Sequence, residues 1–319
     1  MPSGVTPNVP SAPASETAPA PPASSGPNPL LFGPPGLRTG WRIVMFMALV
    51  VALRTVQHHI QPLRHFMQEV TAAQGEESPA PVIVAEGVRA LIVLLAAFIM
   101  TRIEKRSFAD YRLPMNQAFG KRFWQGLALG FAMLSLLLVA IGSLHGFSLA
   151  GLALGGLGAV KFGLLWALAF FLVGVFEDFM FRGYLQCALG DDIGFWPAAL
   201  ILAVIFGAIH WNNQGEALFG CVTAGMFGFM EAFALSRTGS LWLLFGMHTS
   251  WDWGETYFYG TPDSGIVASG HLFNSTFHGA KWLTGGTVGP EGSWLVLVVL
   301  VLWMVAIHFL FPAEKSTAT

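Results

Sequence analysis

The sequence is short of charge. Of its 319 residues only 11% are Asp, Glu, Lys or Arg, less than half the share of about 25% in ordinary soluble domains. A chain that is 54% hydrophobic, with a mean hydropathy of +0.60, has too few polar groups to cover a globule, so most of its solvent must be lipid. That excludes a soluble enzyme. An excess of one sign is missing as well. Sixteen Lys and Arg stand against eighteen Asp and Glu, and with no basic stripe or RNA-binding aromatic signature nucleic acid is excluded as a partner. Cysteine is almost absent: Cys187 and Cys221 lie in apolar surroundings and form neither a CxxC pair nor a ladder of secreted spacings, so no disulfide scaffold is implied.

Residues 1–40 are dominated by Pro, Ala and Ser, with Glu16 as their one acid. Such a segment buries too little apolar surface to offset chain ordering and reads as a disordered Pro/Ala-rich N-terminal tail. It lacks the basic start and apolar run of a secretory leader, so it is expected to be retained. Beyond it, apolar runs of about 17–22 residues, long enough to cross a hydrocarbon core of about 30 Å, recur at 41–60, 82–101, 123–143, 161–184, 195–211, 217–235, 240–257 and 294–311. The expected fold is all-α, a polytopic transmembrane helical bundle of about eight spans. Residues 41–122 would be two N-terminal transmembrane helices and a cytoplasmic loop, and residues 123–312 the core.

Cytoplasmic loops are enriched in Lys and Arg. The connection after the second run holds Arg102, Lys105, Arg106, Arg112, Lys121 and Arg122, whereas residues 144–160 carry no cation. Counting outwards from that loop places both termini in the cytoplasm and the long connection 260–293 outside, as a partly ordered loop.

Ionisable side chains are costly in hydrocarbon, so those inside the runs are candidates for function. The fourth run holds Glu177, Asp178 and Arg182, the fifth Phe206 and His210, the seventh His248 and Asp252. Asp178 and Arg182, four residues apart, share a helix face and can pair. Glu177, about 100° round the helix, is then free to look into a cavity. His248 and Asp252 likewise share a face. At about 1.5 Å per residue, Glu177 and His248 each lie roughly 12 Å from the cytoplasmic ends of their runs, whereas His210 comes out nearer 20 Å deep, so its helix is expected to start deeper or to tilt. A carboxylate shielded from water is a stronger base, and a His beside it can share the activation of one water. Burying six such groups merely to hold helices together would be expensive.

At these residues the sequence resembles the CPBP intramembrane proteases, the group that includes CAAX prenyl-protein endopeptidases and bacteriocin-processing or immunity (ABI-type) proteins. The family pattern, EExxxR, then FxxxH, then HxxxN or HxxxD, occurs in order on three separate runs. The resemblance covers about residues 100–310 and is densest over 170–255. It implies that the core 123–312 is a glutamate-dependent endopeptidase in which Glu177 activates water, His210 helps to position and deprotonate it, and His248 with residue 252 faces the oxyanion. Arg182 would hold the second acid, with Phe206 in support. That acid is Asp178 here, one methylene shorter than the usual Glu. Residue 252 is Asp where the CAAX endopeptidases have Asn, and an ionised carboxylate cannot donate to an oxyanion; Asp252 would orient His248, stay protonated or support a metal.

Glu177, His210, His248 and Asp252 also form an acceptable ligand set for Zn²⁺. HExxH, a rhomboid-like GxSG and a presenilin-like GxGD are all absent. The expected site is metal-free, with Glu177, His210 and His248 as the shell if a metal is bound. The expected substrate is a membrane-associated protein or peptide, processed as a CAAX-type end or a leader, in a water-filled cavity reached from the cytosol or from lipid. The expected location is a bacterial inner membrane. A proton-coupled transporter would show internal repeats, which are not found; a non-catalytic membrane scaffold or immunity protein is the other alternative. Arg54, Glu86 and Arg89 are expected to be a paired or snorkelling set, and Glu231 and Glu255 to sit at polar rims. Trp196, Trp211 and Trp242 suit aromatic belts, and Trp251 and Trp253 flank the third motif.

Overall fold

The computed structural model describes residues 32–33, 36–74, 78–212 and 218–312. The tail expected over 1–40 lies outside the described residues up to position 31; its last part holds a short ladder of β1 (Phe32–Gly33) with β2 (Gly36–Leu37). There follow α1 (Thr39–His59), α2 (Gln61–Gln74), α3 (Pro79–Glu104) and α4 (Lys121–Ser143). Strand β3 (Phe147–Leu152) then leads to α5 (Gly156–Asp178), α6 (Gln186–Ile193), α7 (Phe195–Ile209), α8 (Leu218–Thr238) and α9 (Leu241–Trp253). Strand β4 (Phe273–Phe277) precedes α10 (Lys281–Thr284) and α11 (Leu295–Leu310). Wide π-helical turns join α5 to α6 over Phe179–Leu185 and extend α9 over Gly254–Tyr259.

Helix covers most of the described residues of all eight apolar runs, but only five helical stretches among the described residues are long and apolar enough to cross a membrane: α1, α3, α4, the continuous Gly156–Ile193 and α8. The expected count of eight spans is therefore not met by length. Helices α7, α9 and α11 have 15, 13 and 16 residues, against the roughly 20 that hydrocarbon demands. For α9 the reason is its position. Every residue from Leu241 to Asp252 is buried, as befits a helix that is apolar all round; surrounded by α4, α5 and α8, it matches protein rather than lipid. The loop after α3 fixes its start, with Leu241 N–H on Arg112 O at 2.9 Å and Trp242 Nε1 on Pro114 O at 3.0 Å. Trp242 is thus an interior anchor and not part of a belt.

The two ends of the bundle are tied differently. At one, Arg42 at the start of α1 pairs with Glu104 at the end of α3 (2.7 Å) and with Asp191 of α6 (2.7 Å), which Arg106 also reaches. At the other, β3 pairs antiparallel with β4, Phe147 opposite Phe277. The connections 144–160 and 260–293 therefore share one end, opposite the Lys- and Arg-rich loop, as the charge count required.

Helix α4 approaches α9 so closely that a Cβ at Gly130 would fall 2.2 Å from Met247 O. Close backbone contact of this kind supplies packing where no hydrophobic drive exists between helices. Gly130→Val forces α4 outwards and is expected to cost about 1–3 kcal/mol or more. Thermal melts of the purified protein check this, with Gly87→Ala, whose Cβ meets only Leu172 at 3.7 Å, expected to melt like the unaltered chain.

Candidate active site

The centre of the site is a guanidinium between two acids. Arg182, in the π-helical turn after α5, places Nη1 3.3 Å from Asp178 Oδ1 and Nη2 3.0 Å from Glu231 Oε2 on α8. All three are buried, and the guanidinium carbon stacks 4.1 Å from the Phe206 ring centroid. A side chain at Gly228 would put Cβ 2.4 Å from Arg182 Nη2, so glycine there leaves the room Arg182 needs. The expected Asp178–Arg182 pair is present. Glu231, expected at a polar rim, is instead fully buried and closes the pair into a triad. One buried cation facing several intramembrane acids was the signal for it in the sequence, but the partner helix was not legible.

His248 sits beside this triad. Its Nδ1 donates to Asp178 Oδ2 at 3.3 Å, with Glu231 3.9 Å away. The other ring nitrogen, Nε2, lies 3.4 Å from Asp252 Oδ2 and 3.9 Å from Glu177 Oε2. Glu177 and His248 are therefore level, as helix rise indicated, and Asp252 flanks the ring from the second side. The Glu177 side chain keeps 23% of its surface exposed while those of Asp178 and Glu231 keep none.

His210 reaches the same depth by a route the sequence did not show. Helix α6 prolongs the α5 line past the π-helical turn, and α7 turns back at Gly194. From Glu177 to Ile193 and from Phe195 to His210 the chain covers nearly equal lengths, about 24 and 22 Å at the helical rise, which removes the apparent mismatch. His210 Nδ1 lies 2.7 Å from Phe206 O; a carbonyl only accepts, so this nitrogen carries a proton and Nε2 is the basic one. Phe206 thus supports both Arg182 and His210.

Glu177, His210, His248 and Asp252 line one cavity of about 320 Å³. Its apolar wall includes Trp166, Phe170, Phe227 and Leu300. Trp251 also lines it, stacked on Trp303, whereas Trp253 donates to Gly163 O and ties α9 to α5. Glu86 is on the wall as well, paired with Arg89 as expected; Arg54 is exposed and takes no part. The lining comes from the 260–293 end of the bundle, through Asp263, Ser264, Ile266 and Glu291, and none of it from the Lys- and Arg-rich loop.

A second acidic group forms the far wall. Glu255, expected at a polar rim, is fully buried, and its carboxyl oxygens approach those of Asp263 and Glu291. Burial, with Glu291 beside it, pushes the Asp263 carboxyl up to about 8. Among the described residues, three or more donor atoms come within 4.8 Å of one another only in this group and in Asp178–Glu231–His248. The latter already holds Arg182. Glu177, His210 and His248 do not converge in this way.

Removing the charge of Arg182 leaves Asp178 and Glu231 buried without a counter-ion, which typically costs about 3–5 kcal/mol. Arg182→Met is expected to melt far below the unaltered protein, and the triple change with Asp178→Asn and Glu231→Gln to recover part of that loss in the same detergent.

Residues 159–254 match the family model described as type II CAAX prenyl endopeptidase Rce1-like. No curated protein and no solved structure matches the chain. The matched stretch begins in the first turn of α5 and ends just past Asp252, so it takes in both ion pairs of Arg182 and all the groups around His248. Residues 159–254 are thus similar to the type II CAAX prenyl endopeptidase Rce1-like family, within an integral membrane protein.

Proposed function

We propose that this chain is an intramembrane endopeptidase that hydrolyses a peptide bond of a membrane-associated protein or peptide with water activated by Glu177. The observation that carries the proposal is the meeting of Glu177 with His248, 3.9 Å apart on the wall of a cavity that His210 also lines. Arg182 holds Asp178 and Glu231 but not Glu177, which the cavity reaches together with Asp252.

In this reading a Glu177 oxygen takes a proton from water while His210 Nε2 accepts a hydrogen bond from the same water and orients it. The water oxygen bonds to the carbonyl carbon of the substrate, and the carbonyl oxygen gains the charge. His248 Nε2–H donates to that oxyanion, the role in which a prepositioned donor contributes most. The proton held by Glu177 then passes to the leaving nitrogen, the C–N bond breaks, and Glu177 returns to its starting state. Asp178, through Nδ1, and Asp252, beside Nε2, are positioning residues that hold the imidazole from both sides.

No metal takes part in this reading. Its support is the donor geometry: Arg182 fills the charge requirement of Asp178 and Glu231, and the set that would bind Zn²⁺ is dispersed. The apolar wall suits a hydrophobic side chain of a CAAX-type end or a leader peptide. With the Lys- and Arg-rich end cytoplasmic in a bacterial inner membrane, substrate approaches from the 260–293 end or laterally from lipid.

Wild type and Glu177→Gln, purified in detergent, are compared on a quenched peptide library with and without a chelator selective for transition metals. The variant is expected to lose about 10²–10⁴-fold in cleavage rate, and the wild type to ignore the chelator. Full activity in Glu177→Gln overturns the mechanism, and loss of wild-type activity with chelator moves Glu177 and the two His into a metal shell.

A further inference from the structure

Beside the catalytic cluster, the structure holds a second set of acids that the proposed chemistry does not use. Glu255 lies in the π-helical turn that prolongs α9, while Asp263 and Glu291 come from opposite ends of the 260–293 connection. One oxygen from each lies within 4.8 Å of the other two. Glu255 is 0% exposed, and neither of its carboxyl oxygens has a hydrogen-bond partner. No Lys, Arg or His forms an ion pair with any of the three among the described residues.

The contrast with the Asp178–Glu231 pair is instructive. There two buried acids come with a built-in cation, Arg182, whereas here three acids meet with none. Adjacent buried carboxylates do not all stay ionised without a counter-charge. The surroundings also hold the acids in place. Thr256 Oγ1 donates to Asp263 Oδ2 at 2.9 Å, Ser264 Oγ to Glu291 Oε2 at 3.1 Å and Trp251 Nε1 to Glu291 Oε1 at 3.3 Å. Thr261 donates twice to the Glu255 carbonyl, and Gly265 N–H to Val288 O, so the two ends of the connection are joined before any ligand arrives. In this frame the unpartnered Glu255 oxygens point at the other two carboxylates.

From the convergence of Glu255, Asp263 and Glu291 around an unpartnered buried carboxylate, we propose that this chain binds a divalent cation there, and that the cation is Ca²⁺. Three carboxylates supply up to six hard oxygen donors at the edge of the cavity. Ca²⁺ takes six to eight oxygens at flexible geometry, whereas Mg²⁺ keeps several of its waters and Zn²⁺ favours nitrogen and sulfur. The bound ion ties the 260–293 connection to the end of α9, three residues beyond Asp252, and so stiffens the far wall of the cavity. Glu255, Asp263 and Glu291 all lie outside the matched stretch 159–254, and binding requires no proteolysis.

Trp251 offers a direct readout through its contact with Glu291. Full-length protein in detergent is stripped with chelator and titrated with Tb³⁺ under tryptophan excitation. Sensitised emission is expected to saturate and to be displaced by Ca²⁺ more readily than by Mg²⁺; Ca²⁺ alone is expected to raise the melting temperature. Glu255→Gln and, as a second variant on the connection, Asp263→Asn are expected to bind at least about tenfold more weakly, with elution and helical content unchanged. Glu177→Gln is expected to bind like wild type, which separates this result from the fate of the catalytic mechanism. Absence of sensitised emission, emission equal in wild type and both correctly folded variants, or no Ca²⁺-dependent rise in melting temperature would overturn the proposal.

Discussion

A guanidinium held between two carboxylates in a dry interior is the constraint on which the rest of this structure turns. Arg182 bridges Asp178 on its own helical line and Glu231 on α8. Such a group is expensive to bury and more expensive to half-remove, because each partner left behind is an uncompensated charge. The arrangement therefore permits little sliding of α5 against α8. Asp178 spends its second oxygen on His248, so the same interaction sets the ring that faces Glu177. One acid is locked and its neighbour in sequence is left to the cavity, a division that the 100° step between successive helical residues makes possible.

The backbone serves this division. The π-helical turn after Asp178 lies where Arg182 must reach across to α8, and wide turns of this type recur at functional sites. Helix α6 carries the chain beyond the site so that α7 returns His210 to it. Helix α9, encased by its neighbours and drawn against α4 at Gly130, delivers His248 and Asp252 from the centre of the bundle. Its own π-helical extension then takes Glu255 to the far wall. The cavity lies between these elements and the 260–293 connection, away from the Arg42–Glu104–Asp191 network at the opposite end.

The two acidic clusters differ in how their charge is met. In the first, sequence and packing supply Arg182 from within the matched domain. In the second, Glu255, Asp263 and Glu291 are brought together by a connection whose ends are joined through backbone and side-chain hydrogen bonds. The wall that carries Glu177 and His248 and the wall that carries Asp263 and Glu291 share one cavity, so the field across it is set by both.

What the sequence by itself determined is whatever depends on one helix at a time. Charge scarcity and run length marked most of the long helices, though not α2 or the prolongation of α5 into α6, and four-residue spacing paired Asp178 with Arg182 and His248 with Asp252, because helix periodicity is a local property of the chain. The charge of the connections likewise placed 144–160 and 260–293 at one end. What only the tertiary structure decided is which faces meet. Glu231 and Glu255 looked like rim residues because nothing within α8 or the end of α9 reveals Arg182 or Glu291, which lie far along the chain. The depth of His210 depended on the length of α6, and the shortness of α9 on its being sheathed in protein. A buried charge is placed by its partner, and the partner's position is a property of packing that no single helix encodes.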